Sequence, residues 1–143
     1  MSISPARGTA ESRRILVDAS AFAALANRRD GNHRAALAIW ERLRRERLVP
    51  FTTSSVVAET HALLVSRAGP GAARDWLRAV PVSETWVTED DYARGRRIVE
   101  AHRDKSFTVT DATSFAVMER LGTRTAFTFD RHFDQYGLER LRP

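Results

Sequence analysis

Two short apolar runs that each end on an aspartate constrain this chain more than any other feature. Arg14-Ile-Leu-Val-Asp18 and Thr125-Ala-Phe-Thr-Phe-Asp130 have the continuous apolar character of strands buried on both faces. The first runs into Ser20-Ala-Phe-Ala-Ala-Leu25, a helical start for which Ser20 is the expected cap. Residues His33 to Glu46 place Ala36, Leu37, Ile39, Trp40 and Leu43 on one side of a helix and a row of arginines on the other. Val49 to Thr53 reads as a strand, followed by a helix carrying Val56, Val57, Thr60, Leu63 and Leu64, with Ser54 or Ser55 expected to cap it. Helices are expected over Ala72 to Ala79, Thr88 to His102 and Thr110 to Leu121, a brief strand over Val80 to Val82, and an edge strand between Tyr136 and Leu141. Strands alternating with helices predict an α/β fold, a three-layer α/β/α arrangement around a central, mainly parallel sheet. Ligands of such sheets sit beyond the carboxyl ends of the strands, where strand order reverses. Asp18 and Asp130 occupy that kind of position.

Composition narrows the class. A chain of 143 residues is the size of one domain, expected over residues 14–143, with residues 1–13 as a disordered extension. No apolar run approaches the ~20 residues needed to span a bilayer, and the polar start lacks a secretory core, so the cytoplasm is the expected compartment. Without cysteine there is neither a disulfide framework nor a thiolate zinc site. A net charge of +5 suits an acidic polymer, and of the 23 basic residues all but Lys105 are arginine. Arginine's planar fork pairs well with phosphate.

Four acids then stand out. Taken singly, Asp18 and Asp111 read equally well as helix caps and Asp130 as the start of a turn. Glu59 is different: it lies on or beside the apolar stripe of its helix, where a charge is costly unless an arginine or something else compensates it. Two strand ends, a helix start and an inward helix position can converge on one cleft. Carboxylates gathered ~4 Å apart repel by about 4 kcal/mol at an effective dielectric of ~20. A divalent cation relieves this, and oxygen-only ligands favour Mg²⁺ or Mn²⁺. Such an ion acidifies water and offsets phosphate charge, which makes a phosphodiester the natural substrate.

The segments Val17-Asp18-Ala19-Ser20, Val57-Ala58-Glu59-Thr60, Thr110-Asp111-Ala112-Thr113-Ser114-Phe115-Ala116-Val117-Met118 and Phe127-Thr128-Phe129-Asp130 resemble, in order and spacing, the motifs of PIN-domain nucleases. Within them the chain is most similar to the VapC toxins of type II toxin–antitoxin pairs, a likeness extending from Ile15 to the C-terminus. The resemblance implies a compact α/β/α fold and a Mg²⁺- or Mn²⁺-dependent endoribonuclease acting on structured RNA. The target is tRNA or a ribosomal loop such as the sarcin–ricin loop, the latter preferred. It assigns Asp18, Glu59, Asp111 and Asp130 to catalysis, with Asp18, Asp111 and Asp130 as metal ligands and Glu59 holding metal or activating water. Ser20 and Thr128 fall at hydroxyl positions that orient the acids. It also implies a homodimer and a cognate VapB-like antitoxin.

Other residues carry less. The four histidines show no metal-ligand spacing, and only His132 adjoins a candidate acid, where contact with RNA or the leaving group is conceivable. Trp40, Trp76 and Trp86 offer base-stacking surfaces, although the first two lie in amphipathic helices that favour packing. The run Arg42, Arg44, Arg45 and Arg47 reads as a solvated face, and Asp104-Lys105 as a solvated loop. Two rivals are a phosphatase with an aspartyl nucleophile at Asp18, disfavoured by the lack of an Asp-x-Asp pair, and a catalytically inactive PIN-like RNA-binding module, disfavoured by the retention of all four acids.

Overall fold

The computed structural model describes residues 13–143. The expected disordered extension falls outside these residues except for Arg13, whose carbonyl accepts a hydrogen bond from the Val49 backbone and so belongs to the folded body.

Among the described residues the sheet has five strands: β1 (Arg14–Val17), β2 (Val49–Thr53), β3 (Ser83–Thr85), β4 (Thr125–Phe127) and β5 (Glu139–Arg140). Every pairing is parallel, and the spatial order is β3-β2-β1-β4-β5. The chain therefore builds outward from β1 through β2 to β3, then returns to lay β4 on the other side of β1. Strand order reverses between β1 and β4, the two strands that deliver Asp18 and Asp130. Among the described residues the helices are α1 (Ala19–Ala26), α2 (His33–Arg45), α3 (Ser54–Ala68), α4 (Pro70–Arg78), α5 (Glu89–Ala101), α6 (Val109–Leu121) and the single turn α7 (His132–Gln135).

Side-chain alternation along the strands splits the core into two layers. Ile15, Val17 and Phe127 pack with Phe22, Ile39, Leu43 and Val56 on the α1–α3 side, where Trp40 and Trp76 also lie. Leu16, Phe51 and Ala126 pack with Ile98, Phe107, Phe115 and Phe133 on the side of α5, α6 and α7. Strands covered on both faces show as continuous apolar runs, which is how β1 and β4 announce themselves.

Several local boundaries differ from expectation. Of the two cap candidates for α1, Asp18 and Ser20, Asp18 takes the N-cap position, and Thr53, not Ser54 or Ser55, caps α3 by accepting from the Val56 N–H at 3.1 Å. Leu37 faces outward at 48% exposure. The third strand comes after Val82 instead of at Val80, because Ser83, Glu84 and Thr85 are the residues in register with Phe51, Thr52 and Thr53. An edge strand this exposed owes its position to backbone pairing and carries no apolar signal.

The approach of α5 to α6 governs where Asp111 sits. Gly95 makes it possible: a Cβ there would lie 2.9 Å from Thr113 Oγ1, 3.0 Å from Thr113 N and 3.1 Å from its Cα. Replacing Gly95 by alanine brings about 1 kcal/mol of helix propensity, but overpacking against a backbone that cannot yield costs about 1–3 kcal/mol. Gly95→Ala is therefore expected to lower the melting temperature by roughly 2–4 °C in a thermal scan. A rise would show that α6 is free to move away.

Candidate active site

Asp18 follows the last residue of β1, and its N–H still donates to the Phe127 carbonyl at 3.0 Å. Thr52 Oγ1 donates to the Val17 carbonyl at 2.8 Å, fixing the peptide just before it. Although it stands at the N-cap of α1, the Asp18 side chain makes no cap bond. Its Oδ2 accepts instead from Ser20 Oγ at 3.1 Å and Thr128 Oγ1 at 2.9 Å. Those two hydroxyls are 3.2 Å apart, but each has a single proton and both commit it to Asp18. Their lone pairs accept backbone N–H groups: Phe129 N donates to Ser20 Oγ at 2.9 Å, and Asp130 N to Thr128 Oγ1 at 3.0 Å. The chain leaving β4 is thus tied to the start of α1. For this reason β4 stops at Phe127 and does not run on to Phe129.

Asp111 enters from the other layer as the third residue of a capping box. Thr108 Oγ1 accepts from Asp111 N at 3.1 Å, while Asp111 Oδ2 accepts from Thr108 N at 3.0 Å. The same oxygen lies 2.7 Å from His132 Nδ1. Asp130 Oδ1 accepts from His132 N at 2.9 Å and is 3.4 Å from Nδ1 of the same residue. Asp111, Asp130 and His132 each offer a ligand atom, and these lie within 4.8 Å of one another.

A second box of the same form provides an internal comparison. Thr88 and Asp91 cap α5 in the same way, but Asp91 is gripped by the Arg120 fork at 2.9 and 2.8 Å. Burial raises the Asp91 pKa, yet the Arg120 and Thr88 bonds outweigh it and hold the carboxyl below its usual range. Asp91 is a satisfied structural acid, whereas among the described residues no arginine or lysine pairs with Asp111.

Glu59 sits half-buried on α3. Burial, followed by the charges of Asp18, Asp111 and Asp130, pushes its pKa from 4.5 to about 7. All three aspartates therefore lie within electrostatic range of it. Asp18 is also pushed up, first by burial and further by Asp111, against the lowering effects of the Thr128, Ala19 and Ser20 hydrogen bonds. Among the described residues, no arginine or lysine forms an ion pair with any of the four acids. The arginine partner considered for Glu59 is not there. An oxygen-rich donor set with no cationic side chain fits a divalent ion.

Asp18 is not one of the three residues whose ligand atoms cluster within 4.8 Å. Conversely His132, noted in the sequence only as a neighbour of Asp130, stands between Asp130 and Asp111. Asp104 is exposed and pairs with Lys105 at 3.3 Å. A surface concavity of about 620 Å³ beside Arg96, Arg97 and Arg103 is lined by none of the four acids. The acids are the candidate site because, among the described residues, they converge with no arginine or lysine ion pair to compensate them.

Comparison with known proteins shows the family and the fold. A family model described as PIN domain matches residues 15–138. The 23S rRNA-specific endonuclease VapC20 of Mycobacterium tuberculosis, found in two strains, is 34% identical over 133 residues, covering 90% of this chain and 98% of that protein. The crystal structure of M. tuberculosis VapC20, described as a Sarcin-Ricin loop cleaving toxin, superposes with a TM-score of 0.81 at 34% identity, covering 90% of this chain and 99% of that one.

The raised pKa of Glu59 has a direct consequence for the metal-free protein. Below 4.5 the folded and unfolded chains both hold the proton, and stability is unaffected. As pH rises from 4.5 to about 7 the unfolded chain releases it first, so stability falls, and above about 7 the loss is constant. Water reaching the half-buried carboxyl limits the loss to about 1–2 kcal/mol. Glu59→Gln is expected to raise the melting temperature in chelator by about 3–5 °C near pH ~8 and to leave it unchanged near pH ~4. Equal melting curves at the higher pH would show that the acids do not sense one another.

Proposed function

The chain belongs to the PIN-domain family, and from that membership we propose that it is a Mg²⁺- or Mn²⁺-dependent endoribonuclease, the toxin of a VapBC-type pair, hydrolysing a phosphodiester bond in a ribosomal RNA loop. The observation that carries this reading is the gathering of Asp18, Glu59, Asp111 and Asp130 without an arginine or lysine paired to any of them among the described residues, in a chain whose net charge is +5. A module that only gripped RNA through arginine has no use for an uncompensated negative pocket. The relatives' names favour ribosomal RNA over tRNA.

Asp111 and Asp130, whose carboxylate oxygens converge, would hold the cation, with Asp18, which lies outside that cluster, and Glu59 bordering it. When bound, a divalent ion supplies polarisation of the phosphate and acidification of a water molecule. The chain's own groups perform the remaining work. Ser20 and Thr128 lock the Asp18 carboxylate through two donated hydrogen bonds, so it need not reorganise when substrate arrives. Thr108 does the same for Asp111. Glu59, whose carboxyl is pushed up in the metal-free site by burial and by the three aspartates, would serve as the base that takes a proton from the attacking water. Arginines on the surface draw the polyanion in, but the acids repel phosphate until a cation is present.

The same reading brings a small VapB-like antitoxin, a homodimer of this chain and a cytoplasmic setting. No helix among the described residues is long and apolar enough to cross a membrane.

Incubating ribosomes or total bacterial RNA with the protein and Mg²⁺ or Mn²⁺, then mapping new 5′ ends, is expected to give a discrete cut in the large ribosomal RNA. Asp18→Asn and Asp111→Asn, which keep side-chain shape, should each slow it at least ~100-fold. Fragments that are equal for parent and variants, or independent of metal, would contradict the nuclease reading. Tight binding without cleavage would favour the RNA-binding module.

A further inference from the structure

His132 is held in a way that the proposed hydrolysis does not by itself require. Its neighbour Phe133 is fully buried and packs edge-on against Phe115 at 5.1 Å, which anchors α7 in the second core layer. The His132 N–H bonds to Asp130 Oδ1, and its ring meets Phe107 edge-on at 5.5 Å. Nδ1 points at Asp111 and Asp130, while Nε2 lies 3.1 Å from Ser106 Oγ. Backbone, ring face and both ring nitrogens are therefore all fixed.

We propose that His132 is a nitrogen ligand of the cation centre, completing an Asp111–Asp130–His132 donor set that favours Mn²⁺ and similar transition ions over Mg²⁺. The proposal rests on the reading of the acids as a cation site and specifies that site's ligand and metal preference.

Three features of the geometry support it. First, the three ligand atoms already converge within 4.8 Å, and neighbouring ligands around an ion with ~2.1 Å bonds stand about 3 Å apart. Nδ1 at 2.7 Å from one carboxylate oxygen and 3.4 Å from another is close to that spacing before any ion enters. Second, Ser106 serves both states of the ring. Without metal, Nδ1–H donates to Asp111 and the Ser106 hydroxyl donates to Nε2. With metal, Nδ1 must present its lone pair, the proton resides on Nε2, and the same hydroxyl accepts it. A ligating histidine characteristically has such an outer partner, which sets the tautomer and the ring plane. Third, the donor chemistry discriminates. Mg²⁺ takes oxygen ligands and keeps its waters, whereas imidazole suits the later divalent ions. A purely oxygen site gains little from distinguishing the two; one nitrogen gives it a reason to.

The test reads the metal and not the reaction. Pulsed electron paramagnetic resonance of Mn²⁺ bound to protein labelled with heavy nitrogen in histidine is expected to show coupling to one imidazole, absent in His132→Asn. Calorimetric titration should show that His132→Asn loses about tenfold or more in Mn²⁺ affinity but less than about threefold in Mg²⁺ affinity. Ser106→Ala, an exposed change that removes only the outer hydrogen bond to Nε2, should weaken Mn²⁺ binding in the same selective sense and keeps the proposal open to refutation if His132→Asn fails to fold. Mn²⁺ bound without histidine coupling, or equal losses for both ions, would overturn the role of His132 and leave the cation site standing. No Mn²⁺ binding by the parent protein would overturn both.

Discussion

Repulsion among carboxylates brought together from distant parts of the chain is the constraint around which this fold is arranged. Asp18, Glu59, Asp111 and Asp130 come from the end of β1, the middle of α3, the first turn of α6 and the loop after β4, and Glu59 senses the other three. Two like charges ~4 Å apart repel by about 4 kcal/mol at an effective dielectric of ~20. The fold opposes this with donors: two hydroxyls on Asp18, a capping-box N–H on Asp111, a backbone N–H on Asp130. Hydrogen bonds of this kind orient a carboxylate without neutralising it. The pair Asp91–Arg120 shows what neutralisation looks like in the same molecule. The absence of an arginine ion pair at the acids, among the described residues of an arginine-rich chain, is what singles them out as the candidate site.

The topology follows the same constraint. At the switch between β1 and β4 two strand ends open onto one crevice, and an acid follows each, Asp18 directly after β1 and Asp130 three residues after β4. The close contact of Gly95 with Thr113 lets α6 approach from the opposite layer and set Asp111 there. Hydroxyl side chains bind the segments to one another: Thr52 to Val17, Ser20 to Phe129, Thr128 to Asp18. The pocket is thus prearranged before substrate arrives, at the expense of stability in the metal-free state.

Much of this was legible in the sequence. Continuous apolar runs gave β1 and β4, and helical periodicity gave α2, α3, α5 and α6, because burial on one or both faces is what those patterns record. The four acids could be picked out since each stands where an element begins, ends or turns inward. Local capping was misread: Ser20 looks like a cap in isolation, but its hydroxyl is drawn to Asp18 and Phe129 across the sheet. β3 was displaced because its exposed residues bear no apolar signal, and α7 was not foreseen because a single turn has no periodicity. His132 illustrates the deeper limit. Adjacency to Asp130 was visible, but its contact with Asp111, 21 positions away, exists only once α7 is docked by Phe133.

The most direct test of the gathered-acid account is anomalous X-ray diffraction from crystals of the protein soaked in Mn²⁺. The account predicts a metal peak within bonding distance of the Asp111 and Asp130 carboxylates, with Asp18 and Glu59 bordering the same pocket. A pocket that stays empty while Mn²⁺ binds elsewhere, or any two of these four side chains found on opposite faces of the molecule, would contradict it.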